Sequence, residues 1–373
     1  MEVFMRSRVI KSVGLALTVV LTAGMLAGCG STNTKKGSTS DGDKTLFKYD
    51  GEKVTLKEAW IYGKMMASQY ENTYKAYFGD DFWNSSVGKD SSGQDVNFKD
   101  YVKEQVVTNI KQIIVLNKQA EDLGVKLSAK DKSQSKTYAK AFAKQDQGKE
   151  ILKECGADVE DMEEIYEENA LASKVIAKIT SKVDTNVTDE EARETKIFRI
   201  VFPTTKTDES GNVVNMTADE KAQQKAQAMA AISAVNSGTP IEDEAKVLGQ
   251  TNTEETYAAG HSEEGKKFEK AISKLKDGET MKKMMKCRNG YVVAKLITYM
   301  DKDATEQNKA AVLKQKQQDA FKKQYDEWTA DLEKKWSYDK DVNQELWAEI
   351  DFTSKAPEST TEGAEATTAA KAQ

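Results

Sequence analysis

The sequence predicts an α+β fold in which a small mixed module, residues 191–302, sits inside a mainly helical protein. Three observations lead there. First, the module is bounded by two β-rich runs. Lys196-Ile197-Phe198-Arg199-Ile200-Val201-Phe202 stops at Pro203, and Tyr291 to Ile297 follows Asn289-Gly290. Asn-Gly ahead of a strand is a strong hairpin signal, because both residues tolerate positive φ. Second, apolar residues on either side of the module recur at three- and four-residue steps, the period of a helix with one buried face. Third, Asp303 to Trp336 reads as one helix about 50 Å long, which needs a partner. The first helical stretch is the obvious one, so 45–190 and 303–352 are expected to pack together.

In chain order, Leu46 to Val54 reads as a hairpin about Asp50-Gly51. Thr55-Leu56-Lys57-Glu58 has capping-box spacing and starts a helix. Its face runs through Ala59, Tyr62, Met66, Tyr70, Thr73 and Tyr77. Gly79 to Gln94 is a polar loop carrying Phe82 and Trp83. The next helix has Phe98, Val102, Val106, Ile110, Ile113, Leu116, Ala120 and Leu123 on one side, with Gly124 in place to end it. Ser128-Ala129-Lys130-Asp131 begins another, and amphipathic stretches follow over about Gly148 to Cys155 and Val159 to Val183. Within the module, Thr217 to Glu220 caps a helix ending at Gly238, Pro240 opens a short one, and Phe268 to Leu275 forms a third before Gly278. In the long final helix Asp303 is the expected N-cap. The expected stripe is Leu313, Gln317, Phe321, Gln324, Trp328, Leu332 and Trp336. Residues 353–373 are Thr/Ala/Glu-rich without periodicity, the composition of a disordered tail.

The 373 residues carry a formal charge of −6, 31% are charged, and mean hydropathy is −0.67. An acidic chain without basic motifs is a poor nucleic-acid ligand. Arg6, Arg8 and Lys11 precede an apolar run from Val13 to Met25, too short for a membrane span and suited to a signal peptide over residues 1–28. Its removal leaves a mature charge of about −8. Leu26-Ala27-Gly28-Cys29 resembles the bacterial lipobox. That resemblance implies cleavage before Cys29, diacylglycerol on its sulfur and residence at the cell membrane, facing the extracytoplasmic side. Residues 29–44, rich in Ser, Thr, Gly and Lys, form a flexible tether. Cys155 and Cys287 fall in different stretches and are expected as buried free thiols.

The run Phe268-x-x-Ala271-Ile272-x-x-Leu275-x-x-Gly278 and the Gly290-Tyr291 turn, in this order of strands and helices, resemble the parvulin fold of peptidyl-prolyl isomerases. Over roughly 45–350 the chain resembles extracytoplasmic foldases of the PrsA/SurA type. The resemblance implies a SurA-N-like helical lobe at 45–190, a parvulin-like domain at 191–302 and a C-terminal helix at 303–352 that returns to the lobe. It implies unfolded or newly exported polypeptides as partners, alongside the membrane reached through the lipid on Cys29, and no cofactor. Phe268 matches the family's proline-pocket phenylalanine. Ile200, Met284 and Tyr291 are the other expected proline-pocket or client-binding residues. The two histidines usual in the family are replaced by Arg199 and Val292, and its Gly-Gly pattern is missing near Ala259-Gly260-His261.

Isomerisation is rotation over a barrier of ~18–20 kcal/mol. It needs no metal or nucleophile, only an apolar pocket and surroundings that favour the twisted bond. Two activities therefore stay open, a chaperone that holds exported chains and an active isomerase with other residues in place of the histidines. A ligand-binding or scaffolding envelope lipoprotein is the reading from another class. Gly260-His261-Ser262-Glu263-Glu264-Gly265 superficially resembles a nucleophile elbow, but His261 is the only histidine and lies next to the serine, so a solvated loop is expected. Cysteine and histidine spacing supplies no metal site. Met281, Met284 and Met285 are expected as strand core, with an adaptable client surface as the alternative. Tyr62, Tyr70, Tyr74, Tyr77 and Phe78 are expected mainly as lobe core, leaving Phe82 and Trp83 in the loop as candidate client contacts.

Overall fold

The computed structural model describes residues 42–353 apart from 90–93, 210, 251–252, 289 and 352. The signal peptide, the lipobox cysteine, most of the tether, Asn289 and the tail beyond Thr353 lie outside the described residues. Two compact units emerge. One joins the residues up to Ser181 with those from Lys322 onward, and the other is Lys182–Phe321.

The first unit opens with the antiparallel strands β1 (Thr45–Tyr49) and β2 (Glu52–Thr55). Asp50 at φ 48° and Gly51 at φ 84° supply the two left-handed residues of a tight hairpin turn. Thr55 then caps α1 (Leu56–Phe78), its hydroxyl accepting from the Glu58 N–H at 3.2 Å. A short 3-10 helix (Asp80–Asn84) and the strands β3 (Ser86–Lys89) and β4 (Asp95–Asn97) occupy the expected loop. The helices α2 (Phe98–Lys118), α3 (Ala129–Phe142), α4 (Asp146–Cys155) and α5 (Val159–Thr180) follow. The helix start expected at Ser128 is present, and it takes the form of a capping box with both reciprocal bonds formed. Ile61, Val106, Leu116 and Met162 are fully buried where these helices meet. Asn169, an amide buried in that core, donates to the Tyr62 hydroxyl and the Ile165 carbonyl, both at 2.7 Å, so its nitrogen is satisfied.

The chain returns through α9 (Lys302–Glu333), and α10 (Tyr338–Asp341) and α11 (Gln344–Ala348) close it. Asp301, not Asp303, starts α9, accepting from the Ala304 N–H at 3.1 Å. From Phe321 the buried stripe runs Phe321, Tyr325 and Thr329 at strict four-residue steps, displaced from the predicted Gln324 and Trp328. Lys111 on α2 is the point of closure. Its ammonium lies 3.7 Å from the Trp336 ring centroid and 4.6 Å from that of Tyr49, and 2.9 Å from Glu333 Oε1. The Tyr49 hydroxyl donates to the same carboxylate at 2.6 Å, and Trp336 Nε1 donates to the Lys48 carbonyl at 3.1 Å. Burial lowers the Lys111 pKa, an effect the Glu333 carboxylate opposes. Nearby, Asn343 N–H donates to the Leu46 carbonyl at 2.8 Å and Lys103 donates to the carbonyl of the buried Trp347 at 2.8 Å.

The second unit begins with β5 (Glu194–Pro203) and a hairpin the sequence did not suggest, β6 (Thr205–Thr207) and β7 (Val213–Asn215). Then come α6 (Ala218–Asn236), α7 (Ile241–Val247), β8 (Glu254–Ala258), α8 (Lys266–Ile272), β9 (Met285–Lys286) and β10 (Gly290–Thr298). The first part of α9 also belongs here, tied by Lys309 to Asp189 at 2.8 Å and by Lys316 to Glu191 at 2.5 Å. The sheet order is β8-β5-β10-β9, antiparallel throughout. Gly290 is required at the start of β10. It sits at φ 152°, and a Cβ there would lie 2.1 Å from the Phe202 carbonyl oxygen. Among the described residues Cys155 and Cys287 are free, Cys155 buried as expected and Cys287 only half-buried.

Trp336→Ala removes both the roof over Lys111 and a bond to β1. It is expected to destabilise the first unit by about 2–4 kcal/mol, read as a lower urea midpoint by circular dichroism. An unchanged midpoint would mean that the returning segment does not hold this unit together.

Candidate functional site

Strand alternation sorts the second unit into two cores. On one face, Phe198, Ile200, Phe202 and Val293 pack with Ala228, Ala231 and Ile232 of α6 and Ile241 of α7. On the other, Ile197, Val292, Ala294 and Leu296 pack with Phe268 and Ile272 of α8, Tyr257 and Met281. This division corrects the expected proline pocket. Phe268 belongs to the second core, whereas Ile200, Met284 and Tyr291 belong to the first. A sheet lies between them, so they do not form one site. Phe268 is also 0% exposed, a core side chain and not the wall of an open pocket. Met284 and Met285 are half-buried against opposite faces, so the three methionines make no common surface.

The two positions without the family histidines do share a face with Phe268. Val292 pairs with Val201, and Arg199 pairs with Ala294 in the adjoining register. Val292 is fully buried. Arg199 is surrounded by carboxylates. Its Nε lies 2.6 Å from Glu255 Oε2, its Nη2 lies 3.5 Å from Glu263, and its Nη1 contacts Glu264, whose side chain is 0% exposed. The Glu255 contact is ionic with poor hydrogen-bond geometry, and Glu264 Oε2 has no hydrogen-bond partner. Burial raises the pKa of both Glu255 and Glu264, with Arg199 pulling the other way. Cys287 lies against Glu264. Burial first, and that carboxylate second, push its thiol up to about 12. This is a nearly closed ionic cluster with three acids to one base. Sequence reasoning missed it, since only the Glu263-Glu264 pair hinted at it.

The predicted loop at Gly260 to Gly265 is a turn held by Glu269, which accepts from the Gly260 and Ser262 N–H groups, both at 2.9 Å. His261 is exposed and makes no catalytic arrangement with Ser262. Among the described residues no group of three or more His, Cys, Asp or Glu side chains is placed to hold a metal.

In the first unit the aromatic assignments reverse. Phe82 and Trp83, expected at the surface, are 4% and 7% exposed. The 3-10 helix folds them inward onto Phe98, with ring centroids 5.6 and 5.5 Å away, and Trp83 Nε1 donates to Glu71 at 3.2 Å. What emerges instead is a ladder on α1. Tyr70 stacks on Tyr74 at 6.0 Å, and Tyr74 meets Phe78 at 6.2 Å. Tyr74 is 36% exposed and Phe78 62%. Four-residue spacing put Tyr70, Tyr74 and Phe78 on one helix face in the sequence. It could not say that this face leaves the core after Met66.

No family model matches the sequence, and no curated protein matches it. Among solved structures, the chain is similar to a peptidylprolyl isomerase (PrsA) of Bacillus cereus, at 19% identity over 71% of this chain and 99% of that one, with a TM-score of 0.35. It is similar to the foldase protein PrsA of Streptococcus pneumoniae, at 16% identity over 82% and 99% and a TM-score of 0.27. A structure from work on two SurA-like chaperones of Campylobacter jejuni matches at 10% identity over 77% and 96%, with a TM-score of 0.28. No helix among the described residues is long and apolar enough to cross a membrane.

Two outcomes test this geometry. Phe268→Ala is expected to cost about 3–5 kcal/mol as a core cavity, read by urea unfolding of the second unit, where a surface pocket residue would cost little. The raised carboxyls set a pH dependence. Their folded pKa values exceed the unfolded value of ~4.3, so their contribution is whole below that pH and is lost as pH rises through the folded values. Glu264→Gln should therefore flatten the fall in unfolding midpoint of the second unit as pH rises above that value. Arg199→Met should steepen it, costing about 3 kcal/mol on the basic side.

Proposed function

We propose that this chain is a membrane-anchored extracytoplasmic folding factor that holds exported polypeptides. The observation that carries this reading is the aromatic ladder Tyr70–Tyr74–Phe78, which runs from a half-buried tyrosine to a phenylalanine 62% open to solvent. Large aromatic side chains left outside a core bind apolar segments with little loss of side-chain entropy. An unfolded chain offers many such segments and no fixed shape. The lipobox-like Leu26-Ala27-Gly28-Cys29 supports anchoring through lipid on Cys29, and the tether of residues 29–44 supports reach.

Holding is favoured over isomerisation by the second unit. At the two histidine positions stand a buried valine and an arginine already engaged by carboxylates, and Phe268 is enclosed. Neither a proline cleft nor a polar group free to address a twisted amide is supported there.

The test uses the chain from Ser31 onward, which keeps every described residue. At stoichiometric amounts it is expected to suppress light scattering by a reduced, unfolded secreted protein. Tyr74→Ser with Phe78→Ser should reduce that suppression at least about threefold while leaving the circular dichroism spectrum unchanged. Full suppression by the double variant would remove the ladder from the reading. In parallel, a proline-limited refolding reaction, which takes tens to hundreds of seconds uncatalysed, should not be accelerated. Acceleration would restore the isomerase reading. In cells, Cys29→Ser should release the protein from the membrane fraction.

A further inference from the structure

The acidic balance of the chain hides a reversal between Lys266 and Arg288. Nine basic residues stand there against three acidic ones, in a protein of net charge −6. All nine basic side chains are exposed. None has an ion-pair partner among the described residues, although lysines elsewhere in the same unit do, such as Lys295 with Glu242 at 2.6 Å. The three acids are already engaged at backbone amides. Glu269 accepts from Gly260 and Ser262, Asp277 from Tyr299, and Glu279 from Lys276. They pin turns and leave the basic charges largely uncompensated by neighbours.

The fold gathers these charges around one small core. Phe268 and Ile272 turn α8 inward, and Met281, Met285 and Cys287 close over the same core. Helical spacing places Lys266 and Lys270 opposite Phe268 and Ile272, and Lys274 follows just past the helix end. Lys282, Lys283 and Lys286 continue from the other wall, with β9 at the edge of the sheet. Edge lysines discourage strand pairing, which accounts for Lys286 but not for the lysines of α8.

We propose that this face is a docking surface for an anionic phospholipid bilayer. The proposal rests on the anchoring reading above. A tether of about 15 residues with this composition has an r.m.s. reach of about 20 Å, so the anchored chain stays beside a lipid surface. Unpaired lysines near such a surface are attracted to acidic headgroups within a Debye length. A polybasic patch is also the usual second signal that strengthens a lipid anchor.

The chain from Ser31 onward, which lacks the lipidation site, is mixed at low salt with vesicles of phosphatidylglycerol and phosphatidylcholine, and with phosphatidylcholine vesicles alone. Co-sedimentation with the acidic vesicles only, lost at high salt, is expected. Lys266→Glu, Lys270→Glu, Lys274→Glu and Lys282→Glu together should weaken it at least about tenfold. The same reversal at Lys130, Lys140, Lys144 and Lys178, exposed lysines of the first unit, should weaken it far less. Failure to sediment, or equal loss in both variants, overturns the proposal. So does binding to inorganic polyphosphate without binding to vesicles, which would reassign the face to a soluble polyanion. Suppression of aggregation without vesicles reads the holding function separately and should survive the Lys266–Lys282 reversal.

Discussion

The first unit depends on one buried cation. Lys111 lies between the rings of Trp336 and Tyr49 and against Glu333, which brings together α2, the opening hairpin and the segment that returns at the end of the chain. An ammonium withdrawn from water is costly unless its hydration is replaced. Two aromatic faces and a carboxylate replace it here, and the carboxylate also accepts a hydrogen bond from the Tyr49 hydroxyl. The participants come from three separate parts of the sequence, Tyr49 from the hairpin, Lys111 from α2, and Glu333 with Trp336 from the returning segment. The hairpin and α2 are therefore complete only when residues some two hundred positions later have arrived, and bonds such as Asn343 to Leu46 extend the same seam.

The second unit is governed by a simpler rule with a larger effect on function. Because strand side chains alternate, β5 and β10 must each divide their apolar residues between two cores. Ile200 and Phe268 are then separated by a sheet, however well their types suit one pocket. The same alternation puts Arg199 on the face with Phe268, half-withdrawn from water, where a lone guanidinium would be unfavourable. Glu255, Glu263 and Glu264 provide the counter-charge. One of them is fully buried with an oxygen lacking a hydrogen bond, and burial, which holds the Glu255 and Glu264 carboxyls above their usual range, is the source of the pH dependence.

Surface character follows the same division of labour. The aromatic ladder on α1 continues the face that buries Tyr62 and Met66 and opens to solvent at Tyr74 and Phe78, whereas the basic rim around α8 lies opposite the core that holds Phe268 and Ile272. The first is apolar where solvent would favour polar residues. The second is charged without compensation in an acidic chain. Phe78 at the open end of the ladder and the lysines around α8 are spared from the core, which is why they point to something outside the molecule.

Much of this was legible in the linear pattern. The caps at Thr55, Ser128 and Thr217, the turn at Asp50-Gly51 and the long final helix are local events, decided by backbone donors, positive φ and a period of 3.6 residues. Whether Phe82 and Trp83 face water was not legible, because a 3-10 turn folds them under Phe98 and a loop composition carries no direction. Nor was the pairing of Arg199 with Glu255 and Glu264, since charges more than fifty residues apart meet only through strand register. The sequence therefore determined the α+β class, the opening hairpin, the long helices and the two bounding strands in their order, through interactions that span a few residues, but not the β3–β4 and β6–β7 pairs. Only the tertiary structure decided which face each element buries, and so closed the expected pocket and exposed Tyr74 and Phe78, because burial is a property of neighbours that the linear order does not contain.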